Sequence, residues 1–301
     1  MKHYYSLNDY HHDIYGKKVY KLSISSGCTC PNRDGTLDTR GCIFCSEGGS
    51  GEFSSPSNLS VTQQLEEAKK RVQKKTKSDT YIAYFQPFSN TYGDVEYLRR
   101  IYEEAIAPDD IVALSIATRP DCLQDEVLSL IEELSLKKPV SVELGLQTIH
   151  EGTARYIRRG YPLKVYEDAV RRLHKIGVHV VTHLILGLPG ETKEMMLESV
   201  RFVGGLTDGV KLQLLHIIEG TDLCEEYRKG LVRALSLEEY TDILCDAIEL
   251  LPERVVIHRI TGDGAKRSLV SPLWSADKKQ VLNYINREMD RRNISQGSRI
   301  K

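Results

Sequence analysis

Cys30-Pro31-Asn32-Arg33-Asp34-Gly35-Thr36-Leu37-Asp38-Thr39-Arg40-Gly41-Cys42-Ile43-Phe44-Cys45 follows closely on a short alternating stretch, 20–25, that reads as a β-strand. The quoted segment holds three cysteines at a C-x11-C-x2-C spacing. Thiolate sulfur is a soft ligand that suits iron–sulfur clusters and zinc. Cys42 and Cys45 are spaced to grip one metal centre from a tight turn, and Cys30 returns to it through the intervening loop. Closure entropy grows by only about 0.6 kcal/mol per doubling of loop length, so this spacer costs about 1 kcal/mol more than a three-residue one. Iron–thiolate bonds offset that. A [4Fe–4S] cluster used for electron transfer takes one cysteine per iron, so three cysteines leave one iron open to a small molecule. A structural zinc wants a fourth Cys or His, and Cys28 stands two residues upstream to supply it.

Composition narrows the setting. The 301 residues suffice for one large domain or two small ones, and 41% hydrophobic content supports a sizeable core. The formal charge of −1 gives no global field toward nucleic acid or membrane, so any RNA contact rests on a local patch. The seven cysteines are an odd number, with four of them between positions 28 and 45. That is a metal site in a reducing cytosol rather than a secreted disulfide framework, and a cytoplasmic location is expected. The N-terminus reads as having no signal peptide. No apolar run approaches the roughly 18 residues that span a bilayer, so no membrane partner is expected.

Working outward, 3–20 is rich in Tyr and His and reads as an arm packing its aromatics on the body, with His11 and His12 as substrate contacts the alternative. The segment 61–75 carries a helical period with Thr62 as N-cap. Strands are expected at 80–85, 111–118, 140–146, 178–186 and 210–217, and helices at 94–105, 125–136, 163–176 and 192–206. Six strands alternating with helices argue for a parallel sheet with right-handed crossovers. An open doubly wound sheet and a partial barrel both suit six units, but no G-x-G-x-x-G follows the first strand. Beyond 217 the rhythm changes to a helix at 236–251, a strand at 254–260 and a helix at 278–291 with a polar tail. We expect 1–217 to form the barrel with its N-terminal arm, and 218–301 an extension packed on it.

The cysteine loop with its Pro-Asn-Arg-Asp-Gly insertion resembles the cluster loop of the radical S-adenosylmethionine (radical SAM) superfamily, most closely the YhcC/YtqA-type branch. That branch is similar to the radical SAM part of the Elongator catalytic subunit and, more distantly, to oxygen-independent coproporphyrinogen III dehydrogenase. The resemblance runs from about residue 15 to about residue 285. It implies an α/β fold, a partial (β/α)6 TIM-like barrel with a C-terminal α/β extension, and chemistry at the carboxyl ends of the strands. It implies Cys30, Cys42 and Cys45 as ligands of a [4Fe–4S] cluster whose open iron takes S-adenosylmethionine (SAM). Reductive cleavage of SAM then yields a 5′-deoxyadenosyl radical. A one-electron reductant of flavodoxin or ferredoxin type is implied as a partner.

Site residues follow strand by strand. Phe44 is where the family sets an apolar residue against adenine. The second strand ends in Gln86, Asn90 and Thr91, which stand in for the usual Gly-Gly-Glu-like SAM segment. The third ends Thr118-Arg119-Pro120-Asp121, similar to the Elongator segment; Ala117 stands where relatives carry a ribose-binding Glu. Arg119 meets a carboxylate of SAM or substrate, or pairs with Asp121. The fourth reads Glu143-Leu144-Gly145-Leu146-Gln147, with Gln147 pointing into the barrel mouth. In the fifth, His183 occupies the position of a ribose-binding acid, and Leu186 enters a Gly-Leu-Pro-Gly-Glu turn resembling the adenine-binding turn. Lys211, Gln213, His216, His258 and Arg259 are substrate candidates. Basic runs at 69–77, 155–172 and 291–301 read as solvated faces or as RNA-phosphate contacts.

Two classes of function remain at this point. One is a radical SAM enzyme, acting on a tRNA wobble uridine or oxidising a small, porphyrin-like molecule. The other is a zinc or iron–sulfur scaffold using Cys28.

Overall fold

A computed structural model of the chain describes residues 2–49, 51, 54–74, 76–262, 264 and 266–300. Lys75, Asp263 and Lys301, which fall within segments read above, lie outside the described residues.

The strands are β1 (Tyr20–Ile24), β2 (Tyr81–Phe85), β3 (Ile111–Thr118), β4 (Val140–Gln147), β5 (His179–Leu186), β6 (Gly209–Leu214), β7 (Ile217–Ile218), β8 (Val256–Arg259) and β9 (Leu269–Ser271). The helices are α1 (Leu7–Tyr15), α2 (Val61–Gln73), α3 (Val95–Ile106), α4 (Asp125–Ser135), α5 (Glu151–Tyr156), α6 (Leu163–Lys175), α7 (Lys193–Leu206), α8 (Asp222–Arg228), α9 (Leu237–Glu249) and α10 (Lys278–Arg292). Seven strands pair in the order β1-β2-β3-β4-β5-β6-β8, every neighbour parallel, in a curled half-barrel. Parallel strands need crossovers, and the apolar stripes of α2, α3, α4, α6, α7 and α9 supply them.

The expected α/β partial barrel is present, with one strand more than six. The extension returns β8 to the sheet beside β6. The N-terminal arm then meets β8: Ile257 N–H donates to Tyr5 O at 2.8 Å, and Ser6 bridges Ile257 in parallel. An open sheet edge carries unpaired backbone groups, and this arm covers part of that edge. The arm itself is helical rather than extended. Ser6 and Asp9 form a reciprocal capping box at the start of α1, and Gly16 ends it in the left-handed region at φ 66°.

The main core draws on both halves of the chain: Leu22, Phe85, Leu114 and Val142 from early strands share it with Leu244, Ile285 and Met289. Fully burying such a side chain contributes about 1.5–3 kcal/mol.

One cap is corrected. Ser60, not Thr62, starts α2: its hydroxyl accepts from Gln63 N–H while the Gln63 side chain accepts from Ser60 N–H. Thr62 instead holds Glu104 of α3. Ser60→Ala is expected to lower stability by about 1 kcal/mol and Thr62→Ala by less, measured by urea unfolding.

Candidate functional site

The carboxyl ends of the strands open onto a cavity of about 520 Å³. Cys30, Cys42 and Cys45 stand on its wall. The eleven-residue spacer is a compact set of turns. Arg33 N–H donates to Cys30 O at 2.8 Å, Leu37 N–H to Pro31 O at 2.8 Å, and Cys45 N–H to Cys42 O at 3.0 Å. The Arg33 guanidinium donates to Cys45 O at 2.9 Å and Ser46 O at 2.6 Å, tying the start of the loop to its end. Gly41 is required beside it: its φ is 75°, and a Cβ there would lie 2.9 Å from Arg33 Nε.

Burial pushes the Cys42 thiol up to about 12, with the Cys45 sulfur adding to the effect and Arg119 opposing it. Thiolate is the metal-binding form, so a metal held by Cys42 would have to displace that proton. Cys28 faces elsewhere. It packs on the main core beside Gly93, where a Cβ would lie 3.2 Å from its Sγ, and it is not on the cavity wall. Among the described residues, no three Cys, His, Asp or Glu side chains converge as a ready single-ion site.

Phe44, Gln86, Arg119, Gln147 and His183 also line the cavity. Phe44 packs on the small apolar group of Ile43, Ile157, Leu188 and Leu215. Gln86 Oε1 accepts from Ser23 Oγ at 2.6 Å. Arg119 makes a two-pronged pair with Asp121, at 2.9 and 2.7 Å, and lies over the Tyr161 ring. Gln147 departs most from ordinary geometry. It follows a bulge in the β4–β5 pairing, has φ 72°, and its buried Oε1 has no hydrogen-bond partner in the structure. A positive φ at a non-glycine residue costs about 1–3 kcal/mol, and such strain clusters at functional sites. The oxygen is thus a buried acceptor left unpaired in a residue of the cavity wall.

Asn90, Thr91 and Leu186 are not brought to this wall. The Asn90 amide donates to Phe85 O and Ala117 O, at 3.1 and 2.8 Å, and accepts from Ser26. Thr91 Oγ donates to Cys122 O at 2.7 Å, and Leu186 is core. These side chains serve as joinery between strand ends. Ala117 lines the cavity with no carboxylate to offer.

At the polar floor of the cavity, Lys211 and His183 were candidates from the sequence, whereas Glu143, Lys21 and Tyr84 carry no sequence-based assignment. Glu143 is fully buried and accepts from both Lys21 and Lys211, from His183 Nε2 at 2.7 Å, from Tyr84 OH at 2.9 Å and from Ser115 Oγ at 3.0 Å. Burial opposes its charge, but the two ammoniums and the His183 bond outweigh that and hold its carboxyl well below the usual range. Lys211 is pushed down to about 7 by burial, with Lys21 adding to the shift and Glu143 opposing it. Two bases share one acid. The signal was available: Lys21, Glu143 and Lys211 are the charged residues within the strands β1, β4 and β6, and buried charges must pair.

His183 is pushed down to about 4 by burial, with Lys211 adding and Glu143 opposing; burial also takes His11 down to about 4 and His258 well below 6.5. The unfolded chain therefore binds more protons than the folded one between about pH 4 and 6.5. Stability is expected to fall as pH drops through that window, by on the order of 3 kcal/mol per fully buried histidine at most, with urea titrations at stepped pH as the check.

Residues 29–203 match the model of the Radical SAM superfamily, and residues 207–291 match that of the Radical_SAM C-terminal domain. The chain belongs to the radical SAM superfamily. YtqA of Bacillus subtilis (strain 168) is 43% identical over 297 residues, covering 98% of this radical SAM chain and 92% of YtqA. A tRNA uridine(34) acetyltransferase of Methanocaldococcus jannaschii is 31% identical over 156 residues, 50% of this chain and 28% of that protein. Among solved structures, Methanocaldococcus infernus Elp3 with an N-terminal deletion superposes with a TM-score of 0.72 at 20% identity, over 92% of this chain and 64% of that one. That likeness is one of fold.

The chain is thus a radical SAM enzyme, from a family that normally binds a [4Fe–4S] cluster and SAM. The donor set fits such a group: three soft thiols face one cavity, and an orphaned amide oxygen lies on the same wall. Among the described residues, no helix is long and apolar enough to cross a membrane.

Proposed function

We propose that this enzyme modifies a base of tRNA, at the wobble uridine, by radical SAM chemistry. One observation carries the cofactor assignment: three cysteines line the cavity while the nearby Cys28, partly buried, packs against the main core away from it. Cys30, Cys42 and Cys45 would hold the [4Fe–4S] cluster and leave one iron without a protein ligand. With SAM bound, that pair of groups supplies one-electron reductive cleavage and a 5′-deoxyadenosyl radical. The chain's own residues do the rest. Phe44 would offer adenine an apolar face, and Gln86, Arg119 and Gln147 on the same wall would hold the polar parts of SAM. Asn90, Thr91 and Leu186 support these contacts from behind. Lys21, Glu143, Lys211 and His183 form a floor able to hold or move a proton next to the substrate. The enclosing strands keep bulk water out.

The tRNA reading is supported by the half-chain similarity to a tRNA uridine(34) acetyltransferase and by the Thr118–Asp121 and Glu143–Gln147 segments. A one-electron reductant completes the system, and a cytoplasmic setting suits it. Two measurements test the proposal. Anaerobically reconstituted protein with dithionite and SAM should release 5′-deoxyadenosine. Bulk tRNA from a deletion strain should lack a wobble-uridine modification present in its parent. Release of 5′-deoxyadenosine with unchanged tRNA would transfer the assignment to a small-molecule substrate, and no release would reject the radical chemistry itself.

A further inference from the structure

Asn32 lies between the cysteine loop and the turn that follows α5, and its side chain is 1% exposed. Its Nδ2 is 3.4 Å from Cys42 Sγ, 2.6 Å from Arg158 O and 3.5 Å from Arg159 O. Three acceptors thus face one NH2 group. Turning the amide over would set its oxygen against the Arg158 carbonyl, two acceptors with no proton between them, so the nitrogen belongs on this side.

Both partners of the amide are held. On its own strand of the loop, Asn32 O accepts from Gly41 N–H at 2.7 Å, one residue before Cys42. Across from it, Arg158 has φ 57° and presents its carbonyl inward. The next side chain, Arg159, is buried and anchors the turn through Tyr161 O at 2.9 Å and Thr148 O at 2.6 Å. Gly160 has φ 83°, and a Cβ there would lie 2.7 Å from Asn32 Oδ1 and 3.2 Å from an Arg119 nitrogen. No bulkier residue fits against the amide at that point. The amide is therefore aimed at the sulfur rather than free to choose it.

We infer that Asn32 is a positioning residue whose N–H donates to the Cys42 sulfur and raises the reduction potential of the cluster held there. Hydrogen bonds to ligand sulfurs stabilise the more negatively charged, reduced state and are among the main settings of iron–sulfur potentials. The inference rests on the proposed role of Cys42 as a ligand.

The test needs neither SAM nor substrate. Wild type, Asn32→Ala, Asn32→Asp and Asn32→Ser are reconstituted anaerobically, iron is counted, and midpoint potentials are read by redox titration followed by electron paramagnetic resonance. Asn32→Ala should load iron and shift the midpoint to a more negative value. Asn32→Asp, which sets a carboxylate against the sulfur, should shift it further, and Asn32→Ser, which keeps a short donor, should recover part of the loss. Thr36→Ala, exposed on the same loop, should leave the midpoint where it is. The wild-type protein supplies a second reading: iron–sulfur stretching bands in resonance Raman spectra should move on exchange into D2O and stay still in Asn32→Ala. Unchanged midpoints with intact iron loading overturn this inference alone. Intact iron loading in Cys42→Ala instead rejects the ligand assignment beneath it.

Discussion

Cys42→Ala is expected to lose the iron–sulfur cluster outright, and SAM cleavage with it. Iron should fall from about four per chain to a small remainder, and 5′-deoxyadenosine formation by at least about a hundredfold, because an iron with no ligand leaves the cluster without its third anchor. Cys30→Ala and Cys45→Ala should behave alike. Cys28→Ala should load iron and turn over as wild type does, since its sulfur packs on the core beside Gly93. Folding is not at stake in the comparison. The buried Cys42 carries a thiol that burial holds protonated, and exchanging it for a methyl group removes no buried charge pair. Equal far-ultraviolet circular dichroism with unequal iron content is the expected record. Cluster loss in Cys28→Ala, with retention in any one of the other three variants, would reverse the assignment.

The second large effect is one of stability. Glu143→Ala removes the carboxylate that Lys21 and Lys211 share at the cavity floor and leaves both amines without it in a buried place. Breaking a buried ion pair by removing one partner costs about 3–5 kcal/mol, and because Lys211, already pushed down to about 7, can shed its proton when the carboxylate goes, this case falls at the lower end. Exposure is 0% for the Glu143 side chain and 7% for that of Lys211, so solvent screening relieves little of it. The combination Glu143→Leu, Lys21→Met and Lys211→Met should recover most of that loss, because an apolar filling of similar volume carries no desolvation cost. It should also abolish turnover in reconstituted enzyme. Urea unfolding of the apo protein measures the first part and 5′-deoxyadenosine release the second. A Glu143→Ala variant within 1 kcal/mol of wild type would show that the floor is not an ion cluster in solution.

Most of the barrel was legible because local pattern and tertiary role agree there. The segment 111–118 reads as a strand and is β3 (Ile111–Thr118); 178–186 became His179–Leu186, and 236–251 became Leu237–Glu249 with Ser236 as its cap. Each is long enough for its period to show. Helices α5 and α8 span only Glu151–Tyr156 and Asp222–Arg228, less than two turns each, so no stripe could declare them. The strand near 256 was visible as a strand, but nothing local says that it pairs beside β6 and receives the N-terminal arm.

Asn90 and Thr91 carry the same lesson at the site. Each is a polar residue just past a strand's carboxyl end, and so is Gln86; only the path of the chain after β2 decides that Gln86 meets the cavity while the other two face the backbone of Phe85, Ala117 and Cys122. Glu143 likewise stood inside a segment quoted for its neighbour Gln147.

By itself the sequence determined the alternation of strands and helices and the spacing of three cysteines on the loop that leaves β1, because each depends on residues near one another along the chain. Tertiary structure alone decided which cysteine packs against the core instead of lining the cavity, which strand closes the sheet, and that Lys21, Glu143 and Lys211 meet. The last of these rests on contacts between residues 122 and 68 positions apart, and the others are likewise made between segments distant in the chain, whose geometry exists only once the sheet has curled.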